Sequence, residues 1–257
     1  MANPTPVPLD TIKSNIQKAY NTIYPKYTAW TTPQHPTRLK YVNHLVAKLT
    51  APASSSRPGI SNKDGIENSE RIALEVGCGT GEPVISLLAS TTHPDTGEKV
   101  FTKLIGNDLS STSIKTAKGI FSANEKVSFQ EGDMMALSFE ANSLSAIVGM
   151  YSVIHLPRDE QTVFLERVYT WLKPGGYLLA NFGGNESEGN YSKGWLGGEE
   201  GEMFWSSWGE EKTVEQLEKI GFELVVREVN VDVEGGADGD DSKKREVPFL
   251  WILGRKK

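Results

Sequence analysis

A glycine-rich turn is the stretch of this sequence best suited to chemistry. The apolar run Ile72–Val76 leads directly into it, and the residues that we single out around it are an acid, three glycines and two small side chains: Glu75, Gly77, Cys78, Gly79, Thr80 and Gly81. Glycines let the chain reverse sharply and let a ligand approach backbone N–H groups without a Cβ in the way. An amphipathic run follows, and the N-terminus of a helix there would favour a polar or anionic group. The turn therefore predicts a nucleotide-like ligand.

A dinucleotide fold is one alternative for this turn. Its fingerprint, Gly-x-Gly-x-x-Gly, would need a glycine at position 82. The third glycine comes one position early, at Gly81, and Glu82 stands in the required place. The missing glycine counts against a pyrophosphate site, but the turn alone does not exclude a dinucleotide fold.

Composition narrows the class of protein. With 257 residues, 38% of them hydrophobic and 23% charged, the chain is typical of one globular domain with additions. Its net charge of −6 disfavours nucleic acid as a partner, because binding to phosphates depends on Lys and Arg. The single cysteine, Cys78, excludes an internal disulfide framework and a cysteine cluster for zinc, and we predict no metal. We expect a cytoplasmic protein without a membrane segment, since neither a signal peptide nor an apolar run of ~20 residues is evident.

The N-terminal part, residues 1–70, is predicted to form two helices and a flexible connection that cap the rest. Apolar residues recur at helical spacing from Leu9 to Tyr24, where Pro25 should end the helix, and again over about 37–49. Residues 50–69 are rich in Pro, Ser, Gly and Asn, which is typical of a loop.

Residues 71–257 are predicted to form the main domain, with an aromatic insertion at 183–212. Strands alternate with helices, which indicates an α/β fold with a doubly wound, mostly parallel sheet. The seven predicted strands are about 72–76, 100–107, 127–131, 144–150, 177–182, 222–231 and 248–253. No helix separates the last two, so they must pair as an antiparallel hairpin. Dinucleotide dehydrogenases lack such a C-terminal hairpin.

Five stretches between Ile72 and Phe182 resemble, in order, the class I S-adenosylmethionine (SAM)-dependent methyltransferases. They are the glycine turn, Gly106-Asn107-Asp108-Leu109-Ser110, Glu131-Gly132-Asp133-Met134, residues 145–148 with 151–155, and Trp171-Leu172-Lys173-Pro174-Gly175-Gly176. The resemblance implies that SAM is the cofactor and S-adenosylhomocysteine (SAH) the product. It also implies the cofactor-binding residues, which are the six residues of the turn together with Asp108, Leu109, Asp133, Met134 and Met150.

Individual roles follow from the resemblance. Glu75 would reach the cofactor's ammonium, Asp108 the ribose hydroxyls, and Asp133 the adenine amino group with Met134 against the ring. Asp108 could instead cap the next helix, a role that a following serine fills equally well. Asp133 could be no more than a turn residue.

His155 and Tyr151, just after the fourth strand, are the candidate catalytic residues. A hydroxyl or thiol acceptor needs a base, and a neutral imidazole can take up a proton at physiological pH. The alternative is that His155 caps or packs under the following helix.

The acceptor is predicted to be a small, flat or apolar metabolite, because the arrangement resembles small-molecule methyltransferases, including those of secondary metabolism. Aromatic residues of the N-terminal part and of the insertion could line its site: Tyr24, Tyr27, Trp30, Trp195, Phe204 and Trp205. They could instead plug the sheet end or form a subunit contact, and either a monomer or a homodimer is compatible with the sequence. The residues after the fourth strand, 149–152, lack the Asn/Asp-Pro-Pro-aromatic motif of nucleic-acid amino-methyltransferases. A catalytically silent SAM-binding protein and a Rossmann oxidoreductase remain alternatives.

Overall fold

The computed structural model describes residues 8–51, 70–234 and 244–257. These residues form six α-helices and nine strands. The helices are α1 (Leu9–Thr31), α2 (His35–Thr50), α3 (Val84–Ser90), α4 (Ser111–Ile120), α5 (Arg158–Trp171) and α6 (Gly209–Ile220). The strands are β1 (Ile72–Val76), β2 (Lys103–Asp108), β3 (Val127–Glu131), β4 (Leu144–Gly149), β5 (Leu172–Gly183), β6 (Glu186–Lys193), β7 (Glu202–Trp208), β8 (Phe222–Glu234) and β9 (Arg245–Lys256).

Seven of the strands form one sheet in the order β3-β2-β1-β4-β5-β9-β8. Strands β1 to β5 pair in parallel, and β9 lies antiparallel to both β5 and β8. The predicted doubly wound sheet with its antiparallel C-terminal hairpin is therefore confirmed. Strand order reverses next to β1, and ligands of such sheets bind beyond the carboxyl ends of the strands at that point.

Helices cover both faces of this sheet. On one face, α2, α3 and α4 pack over alternate residues of the strands, and the ring of Tyr41 stacks on Trp251 at 4.0 Å between centroids. On the other face, α5 and α6 pack over the remaining strand residues, among them Leu74 and Ile147. Of the two helices predicted as a cap, α2 is thus part of a packed layer, and α1 lies over the carboxyl ends of the strands, where its residues line a cavity.

The prediction that Pro25 ends the first helix is wrong. Helix α1 continues through Pro25 to Thr31, although proline removes one helical hydrogen bond. The helix is packed on both sides of the proline, with Ile23 and Thr31 buried, and this tertiary packing offsets the loss. No helix in the described ranges is long and apolar enough to cross a membrane.

The insertion contains regular structure that the sequence pattern did not predict. Strands β6 and β7 form a separate antiparallel pair, and α6 begins at Gly209, inside the predicted insertion. The hairpin strands β8 and β9 are also longer than predicted and extend into the link at 232–246. Residues 235–243 of that link, and most of the connection predicted at 50–69, lie outside the described residues.

Candidate functional site

A cavity lies at the carboxyl ends of β1 to β4, beneath α1. It is lined by ten of the eleven predicted cofactor-binding residues: Glu75, Gly77, Cys78, Gly79, Thr80, Asp108, Leu109, Asp133, Met134 and Met150. The exception is Gly81, where an added Cβ would lie 2.8 Å from the ring of Phe121. Gly81 also has a φ of +81°, so its backbone conformation and its packing against Phe121, just after α4, both favour glycine there.

The turn after β1 shows why its first two glycines are needed. Gly77 has a φ of +65°, and a Cβ there would lie 2.3 Å from the Cβ of Ser152. Gly79 has a φ of +55° with open space around its Cβ position, and its N–H donates to Oδ2 of Asp108 at 2.8 Å. The left-handed backbone and the close approach of Ser152 both exclude side chains at Gly77.

Asp108 does not cap helix α4. Ser110 takes that role, because its hydroxyl accepts the N–H of Ser113 at 3.1 Å. The half-buried carboxylate of Asp108 instead accepts the N–H groups of Gly79 and Ser110. Burial raises its pKa, and the two N–H donors lower it. Each carboxylate oxygen still has a lone pair with which to accept a hydroxyl from a ligand in the cavity.

Glu75 presents an unsatisfied carboxylate to the same cavity. Its side chain is buried, and its Oε2 has no hydrogen-bond partner. Burial raises the pKa of Glu75 well above its usual range, and the nearby Arg38 opposes that shift. A buried acceptor without a partner is costly, and a cation from a ligand would satisfy it. This orphaned carboxylate fits the ammonium group of an amino-acid-bearing cofactor such as SAM.

Asp133 serves as a turn residue and also binds α1. Its Oδ1 accepts the N–H of Met135 at 2.9 Å, and its Oδ2 accepts Nζ of Lys13 at 2.7 Å. Lys13 also reaches Glu160 at 2.8 Å, so one lysine joins β3 and α5 to the N-terminal helix. Further along α1, Gln17 donates to the carbonyl of Leu109 at 2.8 Å. The helix that covers the cavity is held by residues of the cavity itself.

His155 is buried, and both of its ring nitrogens are bonded. Nδ1 lies 2.7 Å from the carbonyl oxygen of Phe204, which can only accept, so Nδ1 carries the proton. Nε2 lies 2.8 Å from the hydroxyl of Tyr20 and accepts from it. Burial lowers the pKa of His155 to about 4, while the Phe204 carbonyl opposes the shift. The ring is therefore neutral at pH 7, with its basic nitrogen directed at Tyr20.

Sequence reasoning missed the role of Tyr20. In sequence, its spacing from Ile16 and Ile23 only fits the helical pattern between Leu9 and Tyr24. The structure places its ring against Tyr27, at 5.2 Å between centroids, and burial raises its pKa well above the usual value. No local signal pairs Tyr20 with His155, because 135 residues separate them in sequence.

Tyr151 is held in an unusual backbone conformation. Its φ is +53°, and its N–H donates to Oδ1 of Asn181 at 2.6 Å. Its hydroxyl donates to Oδ2 of Asp232 at 2.7 Å, and burial followed by the charge of Asp232 raises its pKa. Left-handed non-glycine residues are strained and concentrate at functional sites. The raised pKa keeps the hydroxyl of Tyr151 protonated and bonded to Asp232.

A second cavity adjoins the first beneath the insertion. Five residues line both cavities and form the wall between them: Tyr20, Tyr27, Arg38, Tyr151 and His155. Trp30, Trp195 and Trp205 line the second cavity, with Trp195 in contact with both other rings at 5.4 and 5.5 Å between centroids. Of the other predicted acceptor residues, Tyr24 lines the first cavity, and the side chain of Phe204 packs with Ile12 and Ile16, outside both.

Comparison with known proteins gives a consistent result. Residues 73–176 match the family described as "Methyltransferase domain". A sterol 24-C-methyltransferase of Debaryomyces hansenii is 28% identical over 192 residues, which are 72% of this chain and 46% of that protein. The chain thus spans less than half the length of that relative.

Two solved structures share the fold over nearly their whole length. One is a 1,6-didemethyltoxoflavin-N1-methyltransferase of Burkholderia thailandensis with bound 1,6-didemethyltoxoflavin and S-adenosylhomocysteine. It has a TM-score of 0.60 at 15% identity and covers 100% of this chain and 93% of its own. The other is the [4+2]-cyclase SpnF, which has a TM-score of 0.61 at 16% identity, and the match covers 98% of this chain and 99% of the SpnF chain. The matched family, the sheet order and the residues that line the first cavity therefore agree with the resemblance of residues 73–176 to class I SAM-dependent methyltransferases.

Proposed function

We propose that this chain transfers a methyl group from SAM to an O, N or S atom of a small aromatic or apolar acceptor. The observation that carries the proposal is the pair of adjoining cavities with Tyr20 and His155 in their common wall. The first cavity supplies the acids and glycines that a nucleoside with an amino-acid tail requires. The second supplies aromatic surface for the acceptor.

The bound cofactor would supply an electrophilic methyl group on a sulfonium. Methyl transfer from a sulfonium needs in-line placement and exclusion of water more than it needs covalent help from the protein. Helix α1 covers the first cavity, and the shared wall limits the separation between donor and acceptor. Glu75 and Asp108 would hold the cofactor, whose methyl group would pass to the acceptor atom with release of the thioether SAH.

The acceptor's proton has a path to His155. The oxygen of Tyr20 can accept a proton from an acceptor in the wall region while its own proton moves to Nε2 of His155. The carbonyl of Phe204 fixes the tautomer in which Nε2 carries no proton and accepts the hydrogen bond from Tyr20. Because burial holds the pKa of His155 near 4, this path suits acceptors whose proton is already acidic, such as phenols.

The test measures both binding and turnover. Calorimetry with SAM, SAH and NAD should show micromolar binding of SAM and SAH and none of NAD, with binding lost in Asp108→Ala. Turnover is then followed as SAH formation, by mass spectrometry, across a panel of phenols, aromatic amines and thiols.

Two variants separate binding from chemistry. Tyr20→Phe should lower kcat by roughly 100-fold and leave the Kd for SAH within about threefold, since general acid–base effects are typically of this size. Tyr169→Phe, which alters a tyrosine that packs on Phe222 away from both cavities, is the matched control.

The outcomes distinguish the alternatives. SAM binding without SAH formation from any acceptor would favour a silent SAM-binding protein. Binding of NAD in place of SAM would favour an oxidoreductase. The acceptor class matters as well, because the fold neighbour SpnF is described as a cyclase and the fold alone does not fix the reaction.

A further inference from the structure

Arg38 of helix α2 stands in the wall between the two cavities. Its guanidinium carbon lies 4.8 Å from the centre of the Tyr151 ring, which fixes its position by a cation–π contact. Its Nε is buried and has no hydrogen-bond partner. In the part of the chain that the structure describes, no carboxylate forms an ion pair with it.

Every other described arginine has a carboxylate or carbonyl partner. These arginines are Arg71, Arg158, Arg167, Arg227, Arg245 and Arg255. A buried Nε–H without an acceptor is unfavourable, and Arg is suited to bind carboxylate or phosphate with two parallel hydrogen bonds. The partner of Arg38 is therefore expected from a ligand in the cavities.

Glu75 offers the complementary half of a site. Both Glu75 and Arg38 line the first cavity, and each has a buried polar atom without a partner. They act on each other electrostatically, since Arg38 opposes the raised pKa of Glu75, yet they form no hydrogen bond or ion pair with one another. A carboxylate and a guanidinium that face one cavity and do not neutralise each other are suited to a zwitterion.

We infer that Arg38 binds the carboxylate of the cofactor's amino-acid end while Glu75 binds its ammonium. The inference rests on the proposed function, because it takes the ligand of the first cavity to be SAM. It assigns a cofactor residue to helix α2, which lies outside the matched region 73–176. It also couples the packing of α2 on the sheet to the loading of the site.

The decisive comparison uses SAH and its decarboxylated analogue, which keeps the amine and lacks the carboxylate. Calorimetry is done on the wild type, Arg38→Gln, Arg38→Lys and the control Arg71→Gln, whose arginine is exposed and remote from both cavities. Arg38→Gln should weaken SAH binding by roughly 10- to 100-fold, the usual range for hydrogen bonds to a charged group. The same variant should change binding of the analogue by less than about threefold.

Arg38→Lys should give an intermediate loss, because lysine keeps the charge and loses the two-pronged geometry. Equal weakening of both ligands in Arg38→Gln would mean that Arg38 only supports the structure, and would overturn the inference. Unchanged SAH affinity would also overturn it, and would indicate that Arg38 binds an acid group of the acceptor instead.

If the wild type bound no SAH, both this inference and the proposed function would be wrong. If it bound SAH and the analogue equally, only the inference would be wrong.

Discussion

Replacing Gly77 by alanine tests why the turn after β1 has its sequence. The substitution adds one methyl group at a residue with a φ of +65°, and that methyl would lie 2.3 Å from the Cβ of Ser152. Two separate costs are therefore expected. One is the strain of a left-handed alanine, and the other is the collision with Ser152 on the segment after β4.

The structure supplies a control for each cost. Gly79 has a φ of +55° and Gly97 one of +71°, and neither has an atom within 4 Å of its Cβ position. Alanine at either position should cost about 1–2 kcal/mol, from backbone strain alone. At Gly77 the collision should add about 1–3 kcal/mol, the range seen for overpacking. The difference between Gly77→Ala and Gly79→Ala isolates the collision.

The assay is urea denaturation, which gives the free energy of unfolding of each variant. Adding Ser152→Gly to Gly77→Ala should remove the collision and bring the cost down to that of Gly79→Ala. SAH binding should be lost in Gly77→Ala and partly regained in the double variant. Equal costs for Gly77→Ala and Gly79→Ala, or no rescue by the second substitution, would refute the packing argument.

Three further expectations concern groups around the site. The unfolded chain protonates His155 near pH 6.5 and the folded chain only near 4, so its contribution to stability is complete above pH 6.5 and is lost as the pH falls towards 4. In urea titrations, wild type should therefore lose about 3 kcal/mol more than His155→Gln between pH 7 and 4. Parallel stability curves for the two proteins would contradict this. Lys13→Met leaves the carboxylates of Asp133 and Glu160 without their cation and should cost about 1–3 kcal/mol in the same assay. The control Lys40→Met removes an exposed ion pair and should cost less than about 1 kcal/mol. Equal losses in the two variants would show that the Lys13 bridge adds no stability. Asn181→Leu removes the acceptor of the Tyr151 N–H and should cost about 1–3 kcal/mol and lower turnover, while a melting temperature equal to that of wild type would count against a holding role.

Much of the cofactor cavity was predictable because its residues follow strand ends. Glu75, Asp108 and Asp133 each lie at or just past the end of a parallel strand, and such ends meet at one edge of the sheet. The choice between a ligand role and a capping role for Asp108 needed the structure. Ser110 and Asp108 both have capping side chains, and only the backbone geometry shows that Ser110 caps α4.

The misses share a physical origin in contacts between distant segments. The helix past Pro25 is held by packing that no window around the proline contains. The β6–β7 pair arises where glycines and polar residues give a weak alternation, so pairing decides the structure. Phe204 was predicted to contact the acceptor by its type, but the burial of Ile12 and Ile16 on α1 draws its ring into a separate apolar cluster.

The sequence by itself determined the alternation of strands and helices, the turn at Gly77 and the acids that follow three strands. These features depend on local periodicity, on backbone conformations that only glycine adopts readily, and on chain order. Tertiary structure alone decided that α1 closes the cavity, that Tyr20 meets His155, and that Arg38 remains without a partner beside Glu75. These contacts join side chains more than 35 residues apart in sequence, and they form only when the apolar surfaces of the chain are buried together. Residue spacing reports local structure and therefore does not predict them.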